Sequence, residues 1–339
     1  MPLRKENYLA GLDGLRAICA LILLWGHIPQ PDFCEWGGLL SIRWPECCAY
    51  IFFVLSGFLA GYKSDGVLKS PRAYYRKRAR KILPLYYGYI AVSVLAFILL
   101  GRVSDVVNAG LWYYVLMIPQ VPFAASGIDG VLPLVHLWFV GVIVLFYALF
   151  PLYGGKKRLA AGIAVSWALL KWGLYVVVGK DAFAYRFVSV TAFDCLFFGV
   201  WLGMLWRQGN GVLTRIAENR VLAVFAWGLF LLSGIYGKYI PAPMRIEFMA
   251  GVGAMLILNQ ISRKPVLSLE NRVCRWLGSI SYEIYVVQIL VIMLLSMLYT
   301  HAGWSWPGLV IYGVCTVVVV FVAYCCSPVS IITKYPKIT

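Results

Sequence analysis

The sequence predicts an all-α polytopic integral membrane protein with about ten transmembrane helices and both termini cytoplasmic. Three observations carry that expectation. Hydrophobic residues make up 62% of the 339 and charged residues only 13%, where a soluble domain carries about 25% charged residues. The apolar residues recur in runs close to the roughly 20 that cross a hydrocarbon core. Lysine and arginine collect in alternate connecting segments, the pattern of positive charge retained on the cytoplasmic side. The net charge of +16 therefore orients the chain and implies no nucleic-acid partner.

The elements follow in order. The first apolar run, 12–30, comes after Arg4, Lys5 and Glu6, and no small-residue cleavage site follows it. It is expected to be a retained first helix and not a signal peptide. Runs 46–62 and 82–101 flank a strongly basic inner segment from Lys63 to Lys81. Runs 136–153 and 160–178 flank Lys156, Lys157 and Arg158; runs 188–206 and 221–237 flank Arg207, Arg215 and Arg220. Runs 243–260 and 276–298 flank Arg263, Lys264, Arg272 and Arg275, and run 303–326 leads to Lys334 and Lys337. The outer connections hold only Arg43, Arg102, Lys180, Arg186, Lys238 and Arg245. The short stretch "LWYYVLMIPQVPF" (Leu111 to Phe123) contains two prolines. Counting it as a crossing would move every cation from Lys156 onward to the wrong side. Segment 102–135 is thus expected to lie outside, with an interfacial or re-entrant piece. The whole of 1–339 is expected to be one membrane domain with no separate soluble domain.

The nine cysteines show no paired metal-ligand spacing, and no metal site is expected. Cys19, Cys195, Cys315, Cys325 and Cys326 lie in apolar runs and pack as small hydrophobes. Cys34, Cys47 and Cys48 flank an outer loop, where Cys34 can bridge Cys47 or Cys48.

The first run, "LDGLRAICALILLWGH", carries ionisable groups that a bilayer tolerates only at a cost. Arg16 and His27 are eleven residues apart, which at about 100° per residue is only about 20° past three full turns. They share a face, about 16 Å apart along the axis, and Asp13 sits one turn before Arg16. Each has a plain explanation: an arginine near a helix end snorkels, and a histidine in a span bonds a neighbouring helix. The three together on one face are harder to explain that way. Lys171, Asp194, Glu247 and Glu283 also lie in or beside spans, and one of the carboxylates is a candidate to orient His27. His136 and Trp138 are expected at an outer interface as part of an aromatic belt. His301 is expected in a short outer loop, structural or solvated. No phosphate-cradling Gly-Lys-Ser/Thr loop, dinucleotide glycine pattern or nucleophilic-serine elbow is present.

"YLAGLDGLRAICALILLWGH" resembles the first helix of acyltransferase family 3, whose hallmark is an Arg and a His separated by ten residues; Arg16 and His27 match it. "IFFVLSGFLAGY" is similar to the second helix, with Ser56 and Gly57 in the family's Ser-Gly step. "RKRARKILPLYY" resembles the basic entry to the third, with Arg78 and Lys81 on its basic-x-x-basic pattern. "HLWFVGVIVLFYALFP" and "SISYEIYVVQ" resemble its Leu-Trp and Ser-Tyr-x-x-Tyr segments. These pieces run in the family's order from about residue 8 to 290. Two positions depart: the Glu-Glu pair of many members reads Ile143 and Val144, and a family histidine is Gln288. The second leaves His27 as the only histidine expected inside a span.

The resemblance implies transfer of an acyl group, commonly acetyl, from cytoplasmic acetyl-CoA to a hydroxyl of an extracytoplasmic or lipid-linked acceptor, such as a cell-surface carbohydrate. It implies a multi-pass protein of the cell membrane, with no permanently bound cofactor and acetyl-CoA as co-substrate. His27 then takes the role of catalytic base or relay, or of an acyl-imidazole nucleophile. Arg16, Arg78 and Lys81 are expected to bind the donor, because guanidinium and ammonium groups suit CoA phosphates. Asp13, Ser56 and Glu283 are further candidates. The partners implied are acyl-CoA, a glycan or lipid-linked sugar, and membrane lipid. A carrier of glycans or small molecules is the alternative reading.

Overall fold

Long apolar runs can satisfy every backbone group inside a bilayer only as helices or closed barrels. The computed structural model describes residues 9–28, 43–64, 70–126, 132–153 and 155–327, and among these no strand occurs. The helices are α1 (Ala10–Gly26), α2 (Trp44–Tyr62), α3 (Pro71–Leu99), α4 (Val103–Asn108), α5 (Leu111–Val115) and α6 (Gln120–Ser126). They continue with α7 (Trp138–Leu149), α8 (Lys157–Val177), α9 (Phe183–Thr191), α10 (Phe193–Arg207), α11 (Gly211–Glu218) and α12 (Arg220–Tyr236). The last are α13 (Ala242–Gln260), α14 (Arg272–Ser279), α15 (Ser281–His301) and α16 (Gly308–Cys326).

Among the described residues 8 helices are long and apolar enough to cross a membrane, against about ten expected. The expected runs 12–30 and 243–260 fall outside that set, as α1 and α13. Helix α1 has 17 residues, short of the usual span. Helix α13 carries Arg245 and Glu247 and ends in Asn259 and Gln260, which dilute its apolar character. The stretch 111–123 forms parts of the short helices α5 and α6, of 5 and 7 residues, each far below a crossing length.

Helix α3 has 29 residues and begins with Pro71 in its first turn, where the missing N–H costs nothing. Its length is about 44 Å, well beyond the roughly 30 Å core. The basic stretch before residue 82 is therefore not a loop, as the sequence suggested, but the projecting first turns of a helix. Arg78 and Lys81 become neighbours on one face.

The tightest packing is between α2 and α10. A Cβ on Gly57 or Gly61 would run into the Leu196 and Val200 carbonyls, and one on Gly199 or Gly203 into those of Val54 and Phe58. Both helices thus present small residues four apart and face each other, the arrangement that lets membrane helices approach backbone to backbone. Ser56 is half-buried beside Gly57 on this helix. The expected run 188–206 is broken at Ala192, whose φ of 45° lies in the left-handed region. The break starts α10 afresh, with Asp194 in its first turn.

Cys47 and Cys48 are buried, and Cys34, the partner considered for one of them, lies outside the described residues. Cys47 Sγ is 3.5 Å from Ser233 Oγ.

Candidate active site

Helix α1 runs between two polar centres. At one end Arg16 Nη1 donates to Asp13 Oδ1 at 2.6 Å. Around that pair lie Lys63, Lys77, Arg78 and Lys81, all within electrostatic reach of Arg16 or of one another. The Arg78 guanidinium stands 4.0 Å over the ring of Tyr147 and 5.5 Å from that of Tyr74, a cation–π hold that fixes its direction. Burial, and then the positive charges of Arg16, Lys77 and Arg78, push the Lys63 ammonium below its ordinary pKa. Lys63 caps α2 and was visible in the sequence only as one of many cations. Glu283, a candidate for orienting His27, belongs to this end: it is buried and faces Lys81.

At the other end His27 closes α1, its backbone N–H donating to Leu24 O at 3.1 Å, while Ile28 N–H donates to Trp25 O. As a residue it keeps some accessible surface, while its Nδ1 is buried and unpaired. The His136 ring lies 6.5 Å from it, edge-on at 64°. His136 is only 5% exposed, so it is not part of an outer aromatic belt. The 3-10 turn Val135–Leu137 carries it inward, and α15 holds it there. His136 Nε2 lies 3.0 Å from Val286 O. A carbonyl only accepts, so Nε2 bears the hydrogen in the neutral ring and the buried, unpaired Nδ1 keeps its lone pair. The Tyr285 hydroxyl donates to His136 O, and the Tyr89 ring packs edge-on at 5.5 Å.

Gln288, where the family histidine was expected, is fully buried beside His27. Neither its amide oxygen nor its nitrogen completes a hydrogen bond. The second histidine is thus supplied from the turn before α7 and not from α15. His27, His136 and Gln288 thus each bring a buried polar atom without a hydrogen bond to this end of α1, and buried unpaired polar atoms are few in folded proteins.

Lys171, Asp194 and Glu247 do not approach as separate candidates. They form one ion cluster: fully buried Lys171 pairs with Asp194 and, at 2.9 Å, with Glu247. His301 is exposed at the end of α15. Trp138 stacks on Phe123 at 4.9 Å. Among the described residues no group of three or more His, Cys, Asp or Glu is placed to hold a metal ion.

The acyltransferase-domain model of family 3 matches residues 9–327. The chain belongs to acyltransferase family 3. With 8 long apolar helices among the described residues, this member is a multi-pass membrane protein. Over 233 residues it is 28% identical to the Staphylococcus aureus (strain COL) protein named "Putative O-acetyltransferase SACOL0978", covering 60% of this chain and 36% of that one. Over 330 residues it is 26% identical to the Bacillus subtilis (strain 168) protein named "Putative peptidoglycan O-acetyltransferase YrhL", covering 86% of this chain and 50% of that one. It is 25% identical over 232 residues to "O-acetyltransferase OatA" of Staphylococcus aureus (strain NCTC 8325 / PS 47), covering 60% and 35%. The chain therefore spans between about a third and a half of the curated relatives it matches. No solved structure matches it.

Proposed function

We propose that the protein is an O-acetyltransferase of the plasma membrane, moving acetyl from cytoplasmic acetyl-CoA to a hydroxyl of an extracytoplasmic or lipid-linked glycan. The observation that carries this reading is the histidine pair, His27 and His136, on the helix end opposite Arg16. One end of α1 offers converging cations suited to CoA phosphates, and the other offers imidazole bases suited to an alcohol. The names of the relatives, one of them a peptidoglycan O-acetyltransferase, support a carbohydrate acceptor.

Arg16, Lys63, Arg78 and Lys81 hold the phosphates while the narrow pantetheine arm runs along α1. The thioester carbon then lies by His27. The acceptor oxygen attacks that carbon, and its proton passes to the free nitrogen of His27, with His136 Nδ1 as the neighbouring base. The carbonyl oxygen gains charge, which the Gln288 amide N–H stabilises. Collapse expels the CoA thiolate, which takes the proton and leaves as the thiol. In this reading both termini and the basic end of α3 face the cytoplasm, where the donor is made.

The test is transfer of labelled acetyl from acetyl-CoA to a glycan acceptor by the purified protein in liposomes. The expected result is transfer by the native chain and none by His27→Ala, whose thermal stability is unchanged. Full activity in His27→Ala overturns the mechanism; acceptor crossing the bilayer without gaining acetyl overturns the reading.

A further inference from the structure

Past its basic turns, helix α3 carries Tyr86, Tyr87 and Tyr89, and each hydroxyl donates to a backbone carbonyl of another segment. Tyr86 Oη donates to Tyr114 O at 3.0 Å and Tyr87 Oη to Val115 O at 2.9 Å, so both fasten α5. Tyr89 serves a different segment. Its hydroxyl donates to Pro133 O at 2.6 Å, just before the turn that brings His136 inward. The same oxygen accepts from the Leu290 N–H of α15 at 3.2 Å. Tyr89 is buried, and its ring packs edge-on against the His136 imidazole.

The position on α15 is what gives this bond meaning. In a regular α-helix the N–H of residue 290 donates to the carbonyl of residue 286, four positions earlier. Val286 O is the same atom that His136 Nε2 meets at 3.0 Å. The donor and the acceptor of one rung of α15 are thus both met from outside the helix, the first by Tyr89 and the second by His136. In an apolar interior neither group of a rung can be left unpaired. A hydroxyl inserted at the rung takes the N–H and frees the carbonyl for another donor, whereas a closed rung leaves that carbonyl only its second lone pair.

The hydroxyl is not needed to keep the helices together. Tyr282 of α15 donates to Ile82 O of α3 at 2.9 Å, an independent tie between the same two helices. The turn itself is seated by Leu134 and Leu137, both buried, and by the Tyr285 hydroxyl on His136 O. Apolar packing of this kind fixes where the imidazole lies but not which nitrogen carries the hydrogen. Only the bond to Val286 O does that, and Tyr89 governs the rung on which that carbonyl stands.

We infer that Tyr89 is a positioning residue for His136: by taking the Leu290 N–H and holding Pro133 O, it frees Val286 O to fix the imidazole with Nδ1 as its free base. The inference rests on the proposed role of His136 in proton transfer, and the ring nitrogens report on it apart from transfer. The chain has three histidines, so ring-nitrogen NMR of the full chain, labelled at histidine and held in lipid bilayers, gives few signals. Those of His136 are identified by their loss in His136→Gln. Expected in the native chain is a widely separated pair, the mark of one neutral tautomer. Tyr89→Phe keeps the ring and deletes only the hydroxyl; its pair is expected to draw together as the second tautomer becomes populated. Tyr87→Phe, on the same helix, is the control and is expected to leave the pair as it was. In the transfer assay Tyr89→Phe is expected to lower kcat about ten- to hundredfold with the acetyl-CoA KM unchanged. In a His136→Gln chain it is expected to lower kcat no further. A pair unchanged in Tyr89→Phe, an averaged pair in the native chain, or an equal fall in kcat in both backgrounds overturns the assignment. A Tyr89→Phe chain that no longer folds makes the hydroxyl an element of stability and overturns it too. A pair that averages in Tyr89→Phe, in a protein whose native chain transfers no acetyl, upholds the hold on His136 and overturns the proposed activity instead.

Discussion

At the scale of single residues, the proposed mechanism divides the site into cations that hold the donor and imidazoles that take the proton. Replacing His136 by Gln keeps its bulk and its hydrogen bond to Val286 O but removes the free base. Under the proposed mechanism kcat is expected to fall about 10²- to 10⁴-fold, with acetyl-CoA binding retained; unchanged kcat would reduce His136 to a packing residue. Lys63 yields a pH dependence whose sign is fixed by its surroundings. Burial and neighbouring cations lower its pKa, so its charge is lost sooner as pH rises than that of a free lysine. If Lys63 holds donor phosphate, the acetyl-CoA KM rises on the alkaline side, and Lys63→Arg flattens that limb because guanidinium stays charged. A profile identical in the two proteins would remove Lys63 from the donor site. Arg16, Asp13 and His27 were legible in the sequence because one helix sets their spacing, and helical arithmetic needs no tertiary knowledge. His136 was not. Its role depends on a 3-10 turn and on a carbonyl of α15, 150 residues away in sequence, and beside tryptophan it reads as interface.

At the scale of helices, two devices hold the bundle in register. The α2–α10 contact depends on Gly57, Gly61, Gly199 and Gly203, where any side chain meets a facing carbonyl. Gly199→Val is expected to separate the two backbones and lower the midpoint of thermal unfolding, while Gly228→Ala, at an open position, serves as the control. The glycine spacing was present in the sequence, but a spacing names no partner until a second helix is seen to carry the same one. The second device is the ion cluster of Lys171, Asp194 and Glu247. Lys171→Met leaves two carboxylates unpaired in a buried setting, and breaking such a pair costs about 3–5 kcal/mol. The double variant Lys171→Met with Asp194→Asn is expected to recover part of that loss, and a double-mutant cycle by denaturant unfolding reads the coupling. Additive effects would show that the pair contributes little. In the sequence these three residues stood on separate apolar runs, so each resembled an isolated intramembrane charge.

At the scale of the whole molecule, the helical class and most of the long helices follow from hydropathy alone. Among the described residues 8 helices are long and apolar enough to cross where about ten runs were expected; α1 falls short by length, with 17 residues, and α13 by its polar residues. Helix α1 carries Arg16 and ends at His27; α13 carries Arg245, which donates to Glu46 of α2, and Glu247, which pairs with Lys171 of α8. Polar residues reduce the apolarity by which spans are recognised, and in α13 those residues tie neighbouring helices together. Helix α1 still needs to connect the two membrane faces if a cytoplasmic donor and an external acceptor are to meet along it. Its 17 residues rise about 25 Å, a little under the roughly 30 Å core, so under that proposal both ends lie within the membrane. That geometry has a measurable consequence. In sealed right-side-out vesicles of a cysteine-free background, a cysteine at Lys238 is expected to react with a membrane-impermeant maleimide. A cysteine at Lys77 is expected to react only after the vesicles are opened. With His27→Cys, labelling from outside is expected to be slow. Labelling of positions 77 and 238 from the same face would end the proposal that α1 links donor and acceptor across the bilayer, whatever the activity of the purified chain.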